Sequence, residues 1–190
     1  MVIVSGPSGA GKTTLMEAVA RRTDAPLAFS VSATTRPPRP GEIDGVDYHF
    51  LALQEFQRRR ANGEFLECFE VFGGGVWYGT LESEVLPRIA AGKWVVLRID
   101  VQGALALMQR FPDALSIFLL PPSVEVLEAR LRGRLTDDAP SIRRRLETAR
   151  NELALADRYR YRVVNDAFDA AVREICDILR TEAATAPSHT

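Results

Sequence analysis

The stretch GPSGAGKTT, residues 6–14, fits the spacing G-x-x-x-x-G-K-[ST] from Gly6 through Gly11, Lys12 and Thr13. Backbone N–H groups in such a turn converge on one point. With the positive end of a following helix they cradle a chain of phosphates. Gly6, Gly9 and Gly11 permit backbone angles and approaches that a Cβ obstructs, with Pro7, Ser8 and Ala10 between them and Thr14 just beyond. Lys12 would reach the β- and γ-phosphates as a point charge, and the Thr13 hydroxyl would ligate Mg²⁺. Of the 24 basic residues only Lys12 and Lys93 are lysine, so a lysine at this position argues against a chance match. The chemistry is binding of a nucleoside triphosphate. The loop alone does not say what happens to it.

A second phosphate site is suggested by SVSATTRPPRPGEIDGVDYHF. Arg36 and Arg39 lie three apart in a loop that Pro37, Pro38 and Pro40 keep out of regular helix. Two guanidiniums held there could grip a phosphate with forked hydrogen bonds, and Tyr48 could add a hydroxyl.

The elements that must position these residues follow an α/β pattern. MVIVSG reads as a short buried strand, and TTLMEAVARRT as a helix with apolar residues at helical spacing. EFLECFEVF, Gly73–Gly75 and VWYGT read as two strands joined by a glycine turn. Beyond residue 85 come strand KWVVLRID, helix VQGALALMQRF, and strand LSIFLL, stopped by Pro121 and Pro122. Helix SVEVLEARLRGR follows, with Ser123 as its cap, then the longer helix SIRRRLETARNELALADRY. Strand YRVVND and an amphipathic helix over FDAAVREICDILRTEAA complete the pattern, and TAPSHT reads as a tail. Alternating strands and helices predict a parallel sheet with right-handed crossovers.

Composition narrows the class. A net charge of −1 gives no global electrostatic case for nucleic acid or an anionic membrane. No apolar run approaches the roughly 18 residues of a membrane span. Met1–Val4 is too short for a signal peptide, so a cytoplasmic protein is expected. Cys68 and Cys176 lack metal-ligand spacing and are expected as buried free thiols. Trp77 and Trp94 are expected in packing roles and His49 in a structural one.

GPSGAGKTTL, SVSATTRPPRPGE, GVDYHF, EFLE, YGT, IDVQGA, PPS, RLRGR and VVND occur in an order and spacing that resemble the guanylate kinase family over nearly the whole chain. The SATTRPPRPGE and YGT pieces are specific to that family among P-loop proteins. The resemblance implies a three-layer α/β P-loop core with a parallel sheet, formed by residues 1–30 and 86–190. It also implies a helical lid at about 132–148 and a small mixed α/β acceptor-binding insert at 31–85.

The implied reaction is phosphoryl transfer from ATP to GMP with Mg²⁺, with no nucleic-acid or membrane partner. Monomer and homo-oligomer are both compatible with it. Arg36, Arg39, Tyr48 and Tyr78 would hold the GMP phosphate; Ser32, Glu67 and Thr80 would read guanine, with Asp100 nearby. Lys12, Arg36, Arg134 and Arg145 would neutralise charge during transfer, and Asn165 and Asp166 would border the adenine.

The chain also departs from the family. Arg98-Ile99-Asp100 stands where the family usually has Asp-Ile-Asp. Arg98 weakens metal binding, supports phosphate binding, or turns away to pair with Glu42 or Asp100. Leu135 replaces a frequent glycine, and the turn at Gly73–Gly75 is about two residues longer than is usual in the family. A non-catalytic binding module or a sugar-bisphosphate kinase would share the fold. The intact P-loop argues against the first, and Ser32, Glu67 and Thr80 against the second.

Overall fold

The computed structural model describes residues 1–71, 74–132 and 139–185. Gly73, Arg134, Leu135, His189 and part of the expected lid lie outside the described residues. In chain order the elements begin with β1 (Val2–Ser5), α1 (Lys12–Ala20), β2 (Leu27–Phe29), β3 (Ala33–Thr34), β4 (His49–Phe50) and α2 (Leu53–Ala61). Next come β5 (Phe65–Val71), β6 (Val76–Leu81), α3 (Glu82–Ala90), β7 (Trp94–Arg98) and α4 (Val101–Arg110). The chain continues with β8 (Leu115–Leu120), α5 (Val124–Arg132), α6 (Ala139–Leu153), a 3₁₀ turn at Ala156–Arg158, β9 (Tyr161–Val164) and α7 (Phe168–Thr185). The alternation of strand and helix is the α/β class expected. No helix among the described residues is long and apolar enough to cross a membrane.

The chain divides into two compact units. One comprises Ile3–Ala25 and the chain from Leu115 onward. Its strands run in the order β1-β8-β9, with β8 and β9 parallel and Ile117 opposite Tyr161. β1 is buried at every position and β8 at all but its last, as continuous apolar runs in a parallel sheet require. α1 packs on α7. Leu15, Met16 and Val19 of α1, and Val172, Ile175 and Leu179 of α7, are all buried. The Arg22–Asp169 ion pair links the chain just beyond α1 to the first turn of α7 but is half exposed or more on both sides. Such a pair contributes at most about 1 kcal/mol, whereas truncating one fully buried leucine costs roughly 2–5 kcal/mol. Apolar packing therefore holds α1 in place. Ser123 caps α5 as expected, its Oγ accepting the Val126 N–H at 3.3 Å.

The other unit comprises Met1–Val2 and Pro26–Ala114. β2 and β7 pair in parallel. A separate four-stranded sheet runs β4-β3-β6-β5, with β3–β4 parallel and the other pairs antiparallel. One of its faces packs on a cluster of Ala33, Phe56, Phe65 and Leu81, joined by Trp77. The β5–β6 hairpin was expected. α2, α3, β2, β3 and β4 are additions. α2 is mostly polar and has Phe56 as its one buried residue, and α3 carries Pro87 in its interior. Cys176 is buried and Cys68 only half-buried; both are free thiols.

Candidate active site

The glycine loop lies in the first of these units. Gly6, Gly9 and Gly11 all have positive φ, and Gly11 forms the N-cap of α1. The N-terminal N–H groups of α1 thus follow directly from the loop, which is the arrangement that attracts phosphate. Lys12 folds back over it, its Nζ donating to the carbonyls of Gly6 at 2.5 Å and Pro7 at 3.2 Å. Thr13 and Thr14 are exposed on the first turn of α1.

Two groups brace the loop from behind. Asn165, 6% exposed just beyond β9, donates from Nδ2 to the Ala10 carbonyl at 2.8 Å. A Cβ on Gly11 would fall 2.6 Å from that same nitrogen. Asp166 beside it is exposed. Arg130 of α5 reaches the carbonyls of Gly9 at 3.5 Å and Asn165 at 3.4 Å. Arg130 was not singled out from sequence, because it lies among several arginines on a charged helix and only the fold separates it from the solvated ones.

The second cluster is built on the β5–β6 hairpin. Phe65 sits opposite Leu81, yet Glu67 sits opposite Thr80, so Leu66 is an extra residue and β5 is bulged there. Directly opposed residues share a face of the sheet. The bulge therefore brings Glu67 onto the face that carries Thr80, away from the apolar cluster. Thr80 Oγ1 donates to Glu67 Oε1 at 2.6 Å. Tyr78, two residues before Thr80 on the same strand, projects from that face too. Gly79 between them points at the packed side. A Cβ there would lie 2.8 Å from both Cys68 Cβ and Phe65 Cδ1.

Asp100 caps α4, accepting the Gly103 N–H at 2.8 Å. A Cβ on Gly103 would stand 2.8 Å from Glu67 Oε2 and 3.5 Å from Asp100 Oδ1, so the two carboxylates converge at this glycine. Burial pushes the Glu67 carboxyl up to about 7, with the nearby Asp100 charge adding and the Thr80 hydrogen bonds opposing.

Arg36 anchors the third group. Its Nε donates to the Tyr78 hydroxyl at 3.2 Å, and its terminal nitrogens meet both oxygens of Glu42 at 2.6 Å. The guanidinium stacks 4.9 Å from the Tyr48 ring and 5.4 Å from that of Phe50. Tyr48 and Tyr78 meet edge-on at 5.9 Å. Hydrogen bonds from Arg36 hold the Glu42 carboxyl below its ordinary range, and burial raises the Tyr48 hydroxyl. Arg39 is exposed in the same loop, its backbone N–H donating to Glu42 at 2.7 Å.

Ser32 is half-buried between β2 and β3, its carbonyl accepting the His49 N–H at 2.9 Å. The His49 ring meets Glu84 at 3.0 Å and Trp77 packs on Phe56, in line with structural and packing roles respectively. Arg145 is half-buried on α6. Arg98 ends β7 with its guanidinium 4.9 Å from the Phe29 ring. Glu42, one candidate partner for it, is engaged by Arg36 and Arg39.

A glycine phosphate loop in one unit and a carboxylate–hydroxyl–arginine cluster in the other invite comparison with known proteins. The family model described as guanylate kinase matches residues 1–182. The chain belongs to the guanylate kinase family. A guanylate kinase of Rhodopirellula baltica is 51% identical over 98% of this chain and 90% of its own length. One from Gloeobacter violaceus is 50% identical over 99% and 90%. The crystal structure of guanylate kinase from Anaplasma phagocytophilum superposes with a TM-score of 0.76 at 33% identity, covering 96% of this chain and 85% of that one. A shikimate kinase structure from Bacteroides thetaiotaomicron, 18% identical with a TM-score of 0.51 over 94% of this chain and 97% of its own, shares the fold.

Proposed function

We infer that this chain transfers the γ-phosphoryl group of ATP to GMP, forming ADP and GDP. The observation that carries the reading is Glu67, a carboxylate steadied by Thr80 next to Asp100, on the sheet face that also bears Tyr78. Guanine presents N1–H and N2–H₂ as adjacent donors, and an ionised carboxylate offers two matching acceptors. Adenine has an acceptor at N1 and would leave Glu67 unpaired. The Thr80 hydroxyl hydrogen is committed to Glu67, which leaves Ser32 to donate to O6. Arg36, Arg39, Tyr48 and Tyr78 hold the 5′-phosphate.

The loop Gly6–Thr14 holds the ATP phosphates, and Asn165 keeps its backbone in shape by fixing the Ala10 carbonyl. An oxygen of the GMP phosphate attacks the γ-phosphorus, and the bond from that phosphorus to the β,γ-bridging oxygen breaks. The acceptor is already an anion, so no general base is required. Positioning and charge neutralisation by Lys12, Arg36, Arg134 and Arg145 carry the step. The Thr13 hydroxyl, exposed on the first turn of α1, is an oxygen donor suited to Mg²⁺, which binds such a ligand together with substrate phosphates and water. When bound, Mg²⁺ neutralises phosphate charge.

In this reading residues 31–85 take the acceptor, 1–30 and 86–190 form the donor core, and about 132–148 act as its lid. In this reading the enzyme acts in the cytoplasm, in purine nucleotide metabolism. A coupled assay of ADP formation with ATP, Mg²⁺ and each of GMP, AMP, UMP and CMP tests the reading. Turnover with GMP alone is expected. Equal turnover with AMP, or none with any acceptor, would overturn it.

Gly103→Ala probes the same pocket from behind. Its new Cβ would press on Glu67 Oε2. KM for GMP is expected to rise about tenfold or more, with KM for ATP little changed, in steady-state kinetics.

A further inference from the structure

Arg36 is more fully engaged than a waiting phosphate ligand needs to be. A guanidinium has five N–H donors. Nη1 donates to Glu42 Oε2 at 2.6 Å and to the Pro37 carbonyl at 2.9 Å, Nη2 to Glu42 Oε1 at 2.6 Å, and Nε to the Tyr78 hydroxyl at 3.2 Å. Glu42 thus closes the Nη1–Nη2 end of the fork. The Nε–Nη2 edge stays on the side of Tyr78, whose own O–H remains a donor. Glu42 Oε2 also takes the Arg39 backbone N–H at 2.7 Å, so one carboxylate fixes both arginines of the loop.

We propose that Glu42 is a positioning residue for the acceptor phosphate. It clamps the end of Arg36 and the backbone of Arg39 so that the remaining Nη2 N–H of Arg36, beside the Tyr78 hydroxyl, is presented to the 5′-phosphate. The inference rests on Arg36 being a ligand of that phosphate. Its physical basis is preorganisation. The Arg36 side chain is 11% exposed over aromatic rings, and Glu42 is 19% exposed. A guanidinium so withdrawn from water needs a counter-charge before any phosphate arrives. Without one it would turn toward solvent, and ordering it again would weaken binding. Glu42 also adds a negative charge near an anionic ligand, but the end-on geometry keeps it on the far side of the fork. The loss of order in both arginines outweighs that repulsion when Glu42 is replaced.

The test is calorimetric binding of GMP and of guanosine to the wild type, Glu42→Gln, Glu42→Asp and Arg36→Ala, with melting temperatures as a check on folding. Glu42→Gln is expected to weaken GMP about tenfold and leave guanosine within about twofold. KM for GMP rises in parallel, while kcat changes less. Glu42→Asp keeps the charge with a shorter reach and recovers part of the loss; it carries the test if the glutamine variant is unstable. Unchanged or tighter GMP binding, or an equal loss for guanosine, overturns the clamp. If Arg36→Ala also leaves GMP binding intact, the assignment of the phosphate site itself fails. If Arg36→Ala abolishes GMP binding while the Glu42 variants do not alter it, only the role of Glu42 fails.

Discussion

Replacing Glu67 by glutamine lowers kcat/KM for GMP by about a thousandfold and leaves KM for ATP near its wild-type value. The amide keeps the size of the carboxylate and can still accept from Thr80 through its oxygen. It then turns an NH₂ toward guanine, where N1–H and N2–H₂ are also donors. Two donors face each other in a half-buried pocket, and the unpaired groups cost more than the lost attraction alone. Discrimination against AMP shrinks as well, because the amide suits the adenine edge better than a carboxylate does. Steady-state kinetics with both acceptors checks this. A change confined to kcat, with the GMP-to-AMP ratio preserved, would show that Glu67 does not read the base.

Lys12→Met removes a charge and little volume. A loss in kcat of about a thousandfold or more is expected, with GMP affinity unchanged by calorimetry. The ammonium rests on the carbonyls of Gly6 and Pro7, so it is held at the loop by the loop's own backbone. ATP phosphates would compete for the same charge. Lys12→Arg is expected to fail too, since a planar fork cannot replace a compact ammonium within a tight turn. Retained turnover in either variant would move the charge stabilisation to other groups, with Arg130 the next to examine because it already touches the loop at Gly9.

Contiguity decided how much could be read from sequence. The phosphate loop lies in nine consecutive residues, 6–14, with its strand and helix directly adjacent, so spacing alone was enough. Tyr78 and Thr80 were legible as neighbours because strand side chains alternate with period two. Their relation to Glu67 was not. It depends on the one-residue bulge at Leu66, without which Glu67 would oppose Gly79 instead of Thr80. α2 was missed because its polar residues outweigh its single buried anchor, Phe56. α3 was missed because Pro87 breaks the local pattern, although packing keeps the helix intact. Glu42 stood out in the sequence only as a candidate partner for Arg98, and its hold on Arg36 and Arg39 depends on how the proline-rich loop folds. Cys68 was expected in the interior. It is half-buried because it sits on the packed face of β5, which is an edge strand of its sheet.

The Glu67 shift also sets a pH dependence whose sign is fixed. A carboxyl raised to about 7 from 4.5 favours its protonated form up to that pH. Its contribution to stability is present below the ordinary carboxylate range and is lost as pH rises to about 7. Guanine binding requires the ionised form, so affinity falls as pH drops below about 7 and levels off above it. Guanosine is the informative ligand, since the phosphate of GMP itself titrates near pH 6, by the usual value of about 6 for phosphate esters.

The most direct measurement is therefore guanosine affinity by calorimetry from about pH 5 to 8.5, in the wild type and in Glu67→Gln. The account predicts a wild-type affinity that rises about tenfold per pH unit at the acid end and flattens near pH 7, over a weak and pH-independent curve for the variant. Parallel curves for the two proteins would contradict a carboxylate at Glu67 as the group that reads the base, and a wild-type curve already flat at pH 5 above a much weaker variant would contradict only the raised value of that carboxyl.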